Sequence, residues 1–308
     1  MLKKSLIFAC SSVFVLFLGI VLIASDGPTP KWAKDLTYQP AELHPITLSS
    51  LGTPEVIIKV NGSPLTVLFD TGNSGQMSLT TAVENAVKFR TLSQGEELNP
   101  DGSHRGWSKV IELPEVDILG TIYKNHTASL IDWRMTSDAS YNGQVGLNYF
   151  LNRRVTLDYR NRLIAVSDTP VPADIVSNPD YAVVPLLKAP KQQGEILYVE
   201  GEVNGRKQVI YLDTGTTPSC VSPASASGSE SYKTRYHDFY KSDNKYKSIE
   251  VKIGRLAFPV KDIFESNEIR RGTDFSYPVG LVLGSDQLKN LILTIDKIGN
   301  RLILRIAE

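Results

Sequence analysis

The sequence predicts an all-β fold built as two similar lobes with short helices, related by a pseudo-twofold axis and preceded by one N-terminal apolar helix. Three observations carry this. Two gapless copies of one pattern, "VNGSPLTVLFDTG" (Val60 to Gly72) and "VNGRKQVIYLDTG" (Val203 to Gly215), place Asp70 and Asp213 143 residues apart. A second matched pair lies downstream: "VGLNYFLNRRVTLDYRNRLIAV" from Val145 and "LGSDQLKNLILTIDKIGNRLIL" from Leu283. Gly146 follows Asp70 by 76 residues and Gly284 follows Asp213 by 71, so motif, spacer and glycine recur at nearly one spacing, the mark of a tandem duplication. Finally, the apolar runs are short, rich in β-branched residues and broken by Gly, Pro and Asn, as in "EVIIKV", "TVLF", "VIYL", "LILTID" and "RLILRI".

Taken in order, the chain opens with Lys3 and Lys4 before a largely apolar stretch from Ser5 to Ala24, long enough to cross a bilayer as a helix with its charged end in the cytoplasm. Residues 1–24 read as a membrane anchor. A cleavable signal is the alternative, which Leu22 fits badly because a cleavage site after Ala24 wants a small residue there. Residues 25–48 carry Pro28, Pro30, Pro40 and Pro45 and read as an extended tether. The first lobe spans 49–168. Residues 169–191, with the proline-rich "SDTPVPADIVSNPD" at their start, read as an interlobe linker, and 192–308 form the second lobe. Within the lobes "GLNYFLNR" and "GSDQLKNL" each read as one short helix, from apolar residues at i and i+3 after a glycine.

Composition excludes several functions. Lys plus Arg and Asp plus Glu are 33 each, and no basic stripe carries interleaved aromatics, so no nucleic-acid partner is expected. The two cysteines, Cys10 and Cys220, are poorly placed to pair, and the four histidines are scattered. No disulfide framework, metal site or cofactor is expected.

The chemistry resides in the repeated Asp-Thr-Gly. A carboxylate at the end of a buried strand, followed by a glycine able to take backbone angles that other residues avoid, is presented on a tight turn. Two such loops facing each other across a pseudo-twofold axis bring together like charges that cannot both ionise comfortably, so the pair holds one proton. One carboxylate can then draw a proton from water while its partner donates to a substrate carbonyl.

These motifs, "FDTGNSG" and "LDTGTTPS", each paired with a later glycine after an apolar residue ("QVGL", "LVLG"), resemble those of the pepsin and retropepsin aspartic peptidases. The resemblance covers roughly residues 50–168 and 192–308 and looks closer to the retropepsin-like branch, as a fused dimer of such lobes. It implies that Asp70 and Asp213 are catalytic, that the Thr71 and Thr214 hydroxyls bond across the lobe interface, and that Gly72 and Gly215 let backbone amides approach the carboxylates. It further implies that Gly146 and Gly284 let a neighbouring strand pass beneath the loops. The residue after Asp-Thr-Gly is usually Ser, Thr or Ala; Thr216 complies, whereas Asn73 departs and is expected to donate its amide to the outer carboxylate oxygen. Trp107, in "LNPDGSHRGWSKV", is a possible substrate contact on a hairpin-like segment, and the Tyr-rich stretch from Ser231 to Ser248 occupies the matching interval. Asp158 and Asp296 recur in the repeat and are expected to bond neighbouring turns.

The expected function is that of a membrane-tethered aspartic endopeptidase, a monomer with a pseudo-dimeric site, its lobes outside the cytoplasm and its partner a peptide or protein substrate. If the N-terminal segment is cleaved, the protein is secreted. The alternative from another class is an inactive peptidase-like module that binds extended peptides. The presence of both carboxylates separates the two, since binding alone needs neither.

Overall fold

The computed structural model describes residues 29–98, 104–131, 141–189, 194–237, 240–267, 269 and 275–307. The expected anchor, Ser5 to Ala24, lies outside them. Among the described residues no helix is long and apolar enough to cross a membrane.

In chain order, α1 (Lys31–Asp35) leads into β1 (Leu43–Pro45), β2 (Thr47–Leu48), β3 (Pro54–Val60), β4 (Ser63–Phe69), β5 (Ser78–Thr80), β6 (Arg90–Leu98), β7 (His104–Ile118), β8 (Thr121–Ile131), β9 (Gly143–Val145), β10 (Arg154–Asp158) and β11 (Leu163–Ser167). A single 3-10 turn, Leu147–Phe150, separates β9 from β10. The second half repeats the series: α2 (Ala173–Ser177), β12 (Ala182–Pro185), β13 (Tyr198–Val203), β14 (Arg206–Asp213), β15 (Cys220–Val221), β16 (Ser231–His237), β17 (Ser242–Ile253), β18 (Leu256–Glu265), β19 (Val279–Gly284), α3 (Ser285–Leu288), β20 (Leu291–Asp296) and β21 (Arg301–Ile306).

Each lobe is one sheet, and the two share a strand order. The first runs β2-β3-β4-β9-β5-β8-β7-β6 and curls so that β3 also pairs with β7; the second runs β13-β14-β19-β15-β18-β17-β16, with β13 also on β17. The repeated Asn-Gly pairs make the β3–β4 and β13–β14 hairpins. Asn61 and Gly62 have φ of 50° and 81°, Asn204 and Gly205 of 49° and 74°, the two left-handed residues that a two-residue hairpin turn needs. Alternation along β3 and β4 puts Val56, Ile58, Val60, Val67 and Phe69 in the core.

A third sheet belongs to neither lobe. Its order is β1-β11-β10-β20-β21-β12, antiparallel throughout, and its centre is the β10–β20 pair. There Arg154 faces Asp296, Thr156 faces Thr294 and Asp158 faces Ile292. Thr156 and Thr294 are equivalent positions of the repeat, so this register is its own image under exchange of the two copies. The Thr156 and Thr294 hydroxyls share a hydrogen bond of 2.8 Å where the pseudo-twofold axis crosses the sheet.

One face of this sheet (Val155, Leu157, Leu293, Ile295, Leu302, Leu304) joins the main core. The other (Leu163, Ala165, Ile292, Ile303) is covered by Trp32, Ala33, Leu36 and Tyr38 from the first half and by Val171, Ile175 and Tyr181 from the second. This corrects the expectation of an extended tether over 25–48 and of a plain linker over 169–191. From residue 29 the chain is folded: Pro30 precedes the first helical turn, Pro40 starts a 3-10 turn, and β1 lies antiparallel on β11. The prolines delimit short elements instead of keeping the segment extended. The linker supplies the matching helix α2 and edge strand β12, which pairs with β21. Both copies therefore begin earlier than the Asp-Thr-Gly repeat reveals, each with a short helix and an edge strand.

Candidate active site

Asp70 and Asp213 sit where two buried strands end. Along β14, Ile210 and Leu212 point into the core, so Tyr211 and Asp213 share the opposite face. Parallel partners hold each strand end: Phe69 lies beside Val145 of β9, and Asp213 beside Gly284 of β19. The Asp70 N–H donates to Val145 O at 2.9 Å. In each loop the glycine amide turns back onto its own carboxylate, Gly72 N to Asp70 Oδ1 at 2.8 Å and Gly215 N to Asp213 Oδ1 at 2.9 Å.

The threonines lock the loops together. Thr71 Oγ1 donates to Leu212 O at 2.8 Å and accepts from Thr214 N at 3.0 Å; Thr214 Oγ1 donates to Phe69 O at 2.5 Å and accepts from Thr71 N at 3.0 Å. Both side chains are fully buried, so four satisfied hydrogen bonds fix the separation of the two strand ends from the inside.

Beyond the amide contacts the resemblance implied, Gly72 and Gly215 are required for their missing side chain and not for their backbone angles. Neither has positive φ. A Cβ on Gly72 would lie 2.7 Å from Asp213 Cγ and Oδ1, and one on Gly215 would lie 2.6 Å from Asp70 Oδ2. Each glycine leaves room for the carboxylate of the other lobe. Gly146 and Gly284 do the same for backbone: a Cβ on Gly146 would strike Asn73 O, and one on Gly284 would sit 2.6 Å from Thr216 O. These two glycines press against the loops that follow Asp-Thr-Gly.

The two carboxyl groups face each other, each lying against the glycine of the opposite loop. Burial, the negative charge of Asp213 and the hydrogen bond to it push Asp70 well above the usual carboxylate range, against the opposing pull of the Gly72 and Asn73 amides. At neutral pH this favours one shared proton over two charges.

The contact expected of Asn73 is rearranged. The Asn73 side chain does not donate to Asp70: its Oδ1 accepts from Gly75 N at 2.9 Å in an Asx turn, and its buried Nδ2 has no protein partner. The Thr216 hydroxyl is engaged with Tyr240, which also bonds Pro218 O. Trp107 stands on the β6–β7 hairpin opposite Glu96 and is 57% exposed. The Asp-Gly turn expected at the tip of that hairpin falls in residues 99–103, outside the described residues. In the second lobe the Tyr-rich stretch forms the equivalent β16–β17 hairpin.

Other site residues were not singled out in the sequence. The Tyr211 hydroxyl and the Asp213 carboxyl crowd the same space against Gly72, and burial together with the charges of Asp213 and Asp70 pushes the tyrosine's own ionisation far upward. Tyr159, just past β10, bonds Ser285 Oγ at 2.8 Å, and Ser285 Oγ donates to Thr214 O at 2.7 Å, tying the six-stranded sheet to the second loop. Asn148 clamps the first loop through Ser74 O at 2.8 Å and Gly75 O at 2.7 Å. Tyr211 had a signal in strand periodicity, being two residues before Asp213; Tyr159 and Asn148 had none. Asp158 and Asp296 close turns beside β10 and β20, accepting from Asn161 N and Gly299 N at 3.0 Å each. Among the described residues no group of three His, Cys, Asp or Glu side chains could hold a metal ion.

No family model matches the sequence, and no curated protein does. Among solved structures, the chain is similar to the aspartic proteinase from Irpex lacteus, with a TM-score of 0.60 and 11% identity over 86% of this chain and 97% of that one. At that identity the likeness is one of fold: mostly β with a few short helices, in the two-lobed pepsin-like arrangement.

Proposed function

We propose that this protein is an aspartic-type endopeptidase. The observation that supports the reading is that Asp70 and Asp213, at equivalent strand ends of two lobes, each lie against the glycine of the opposite loop, with the loops tied together by the Thr71–Thr214 exchange. In the singly protonated state the ionised carboxylate takes a proton from water as the oxygen attacks a peptide carbon, and the neutral carboxyl gives its proton to the carbonyl oxygen. The resulting diol collapses when the C–N bond breaks: the amine receives a proton from the carboxyl that took one from water, and a diol hydroxyl returns its proton to the other carboxylate. Substrate enters as an extended strand, since a cleft between β lobes offers main-chain hydrogen bonds and alternate side-chain pockets.

Within the class we place the chain nearer the retropepsin-like branch on its repeated tails, as a monomer with a pseudo-dimeric site. We also propose that Ser5 to Ala24 tethers it to a membrane with the lobes outside the cytoplasm, supported by Lys3 and Lys4 ahead of the apolar run.

The test is cleavage of a diverse library of extended, largely apolar peptides by the full chain from acidic to neutral pH. Asp70→Asn and Asp213→Asn should each abolish turnover and keep the fold, because Asn is nearly isosteric but cannot share the proton. Peptide binding without cleavage by the wild type at any pH would favour the binding-module alternative. Protease added to intact cells or spheroplasts should reach the lobes; protection until the membrane is broken would reject the orientation.

A further inference from the structure

The two halves of the dyad are not equivalent. Gly72 N on Asp70 and Gly215 N on Asp213 are symmetric donors, but two residues before each carboxylate the first lobe has Leu68 and the second has Tyr211. Strand alternation puts Tyr211 on the face of Asp213, and its hydroxyl occupies the space that a Cβ on Gly72 would enter, beside Asp213 Cγ. The ring is braced from β13 by Tyr198, its cross-strand partner, at 5.0 Å between centroids, and Tyr198 is packed edge-on by Phe275 at 5.1 Å. The equivalent rung of the first lobe is Glu55 with Leu68, which has no phenol to offer.

We propose that Tyr211 is a positioning residue that makes the dyad unequal: its hydroxyl donates to Asp213, holding that carboxylate ionised as the base and leaving the shared proton on Asp70 as the acid. This rests on the endopeptidase reading for its catalytic consequence, but the placement of the proton does not depend on turnover. A donor to a carboxylate favours its charged form, and Tyr211 stays protonated because burial and both aspartates oppose its ionisation. The other titratable groups whose charge couples to this cluster are Tyr159, Tyr240, Tyr198, Asp286 and, through Tyr240, Cys220, and the tyrosines Tyr159 and Tyr240 are likewise held neutral by burial. In the hydrolytic step, water then loses its proton to Asp213 while its oxygen bonds the peptide carbon, and the Asp70 proton passes to the carbonyl oxygen. The amine later leaves with the proton held by Asp213, and a diol hydroxyl returns its proton to Asp70.

The test follows carboxyl-13C aspartate signals of the full chain in detergent against pH, assigned with Asp70→Asn and Asp213→Asn. The lower titration step should report on Asp213 and the upper on Asp70. Tyr211→Phe should raise the lower step by about one pH unit and move the acid limb of the cleavage profile by the same amount, with the basic limb nearly fixed. Tyr211→Leu, which copies the first lobe, gives the same readout without a ring. A lower step unmoved in both variants, or an upper step that reports on Asp213, overturns the proposal. Titrations as expected in a wild type that cleaves nothing would sustain the proton placement and reject the endopeptidase reading; cleavage with unmoved titrations would do the reverse.

Discussion

Replacing Trp32 tests whether the segment before the lobes is part of the folded body. Its indole is 1% exposed, stands edge-on to Tyr38 at 5.7 Å between centroids, and donates from Nε1 to the buried Asp158 carboxylate at 2.6 Å. A fully buried Trp cut to Ala costs about 3–5 kcal/mol in packing and cavity terms. Asp158 keeps the Asn161 amide and side chain, at 3.0 and 2.6 Å, so it is not stranded when the indole goes. Trp32→Phe, which keeps most of the volume, should therefore cost about 1.5–2 kcal/mol, near the lower end for a hydrogen bond to a charged group. Against a typical total of about 5–15 kcal/mol, Trp32→Ala removes a large fraction of stability. Urea unfolding followed by far-ultraviolet circular dichroism reads both values without relying on the tryptophan signal. An extended tether predicts changes within about 0.5 kcal/mol, as for ordinary surface substitutions. A Trp32→Ala variant that falls in that range would refute the packing argument.

A fragment starting at Pro45 loses α1 and nearly all of β1; it should expose the outer face of the six-stranded sheet and aggregate in size-exclusion chromatography, whereas one starting at Gly27 should not. Because Asp70 titrates above its unfolded value, the folded state binds the extra proton, and the associated stability is full below the ordinary carboxylate range and is lost as pH rises through the folded value. Asp70→Asn should thus be more stable than the wild type near pH 7, with the gain shrinking on acidification toward pH 4, as read by thermal unfolding at the two pH values. Thr71→Val leaves Leu212 O and Thr214 N buried without a partner, at about 1–3 kcal/mol each, so a loss of about 2–6 kcal/mol in urea unfolding is expected. Gly72→Ala drives a methyl into Asp213 and the Tyr211 hydroxyl; peptide cleavage should collapse while circular dichroism stays native.

The sequence by itself determined what is local or periodic. Short β-branched runs set strands, and two in-phase copies of Asp-Thr-Gly set two carboxylates at equivalent strand ends. Their matched downstream tails supply the self-symmetric pairing of β10 with β20, since a register centred on equivalent residues needs only equal spacing in the two copies. Alternation also fixed which residues turn inward. It could not say what covers a face, because that depends on chain segments more than a hundred residues away. Trp32 reaches Asp158 only across the folded first half, and Tyr181 reaches Asp35 only across the two halves, so a proline-rich segment with scattered apolar residues looked like a tether. The same limit governs the site. Asn73 has the chemistry to reach Asp70, yet its oxygen is captured two residues on by Gly75, and the need for glycine at 72 and 215 comes from the opposite lobe, not from local backbone angles. That Leu68 offers no hydroxyl is read from the sequence, but that the Tyr211 hydroxyl comes up against Gly72 beside Asp213 was decided by tertiary structure, because it depends on distance and direction that side-chain identity alone does not specify.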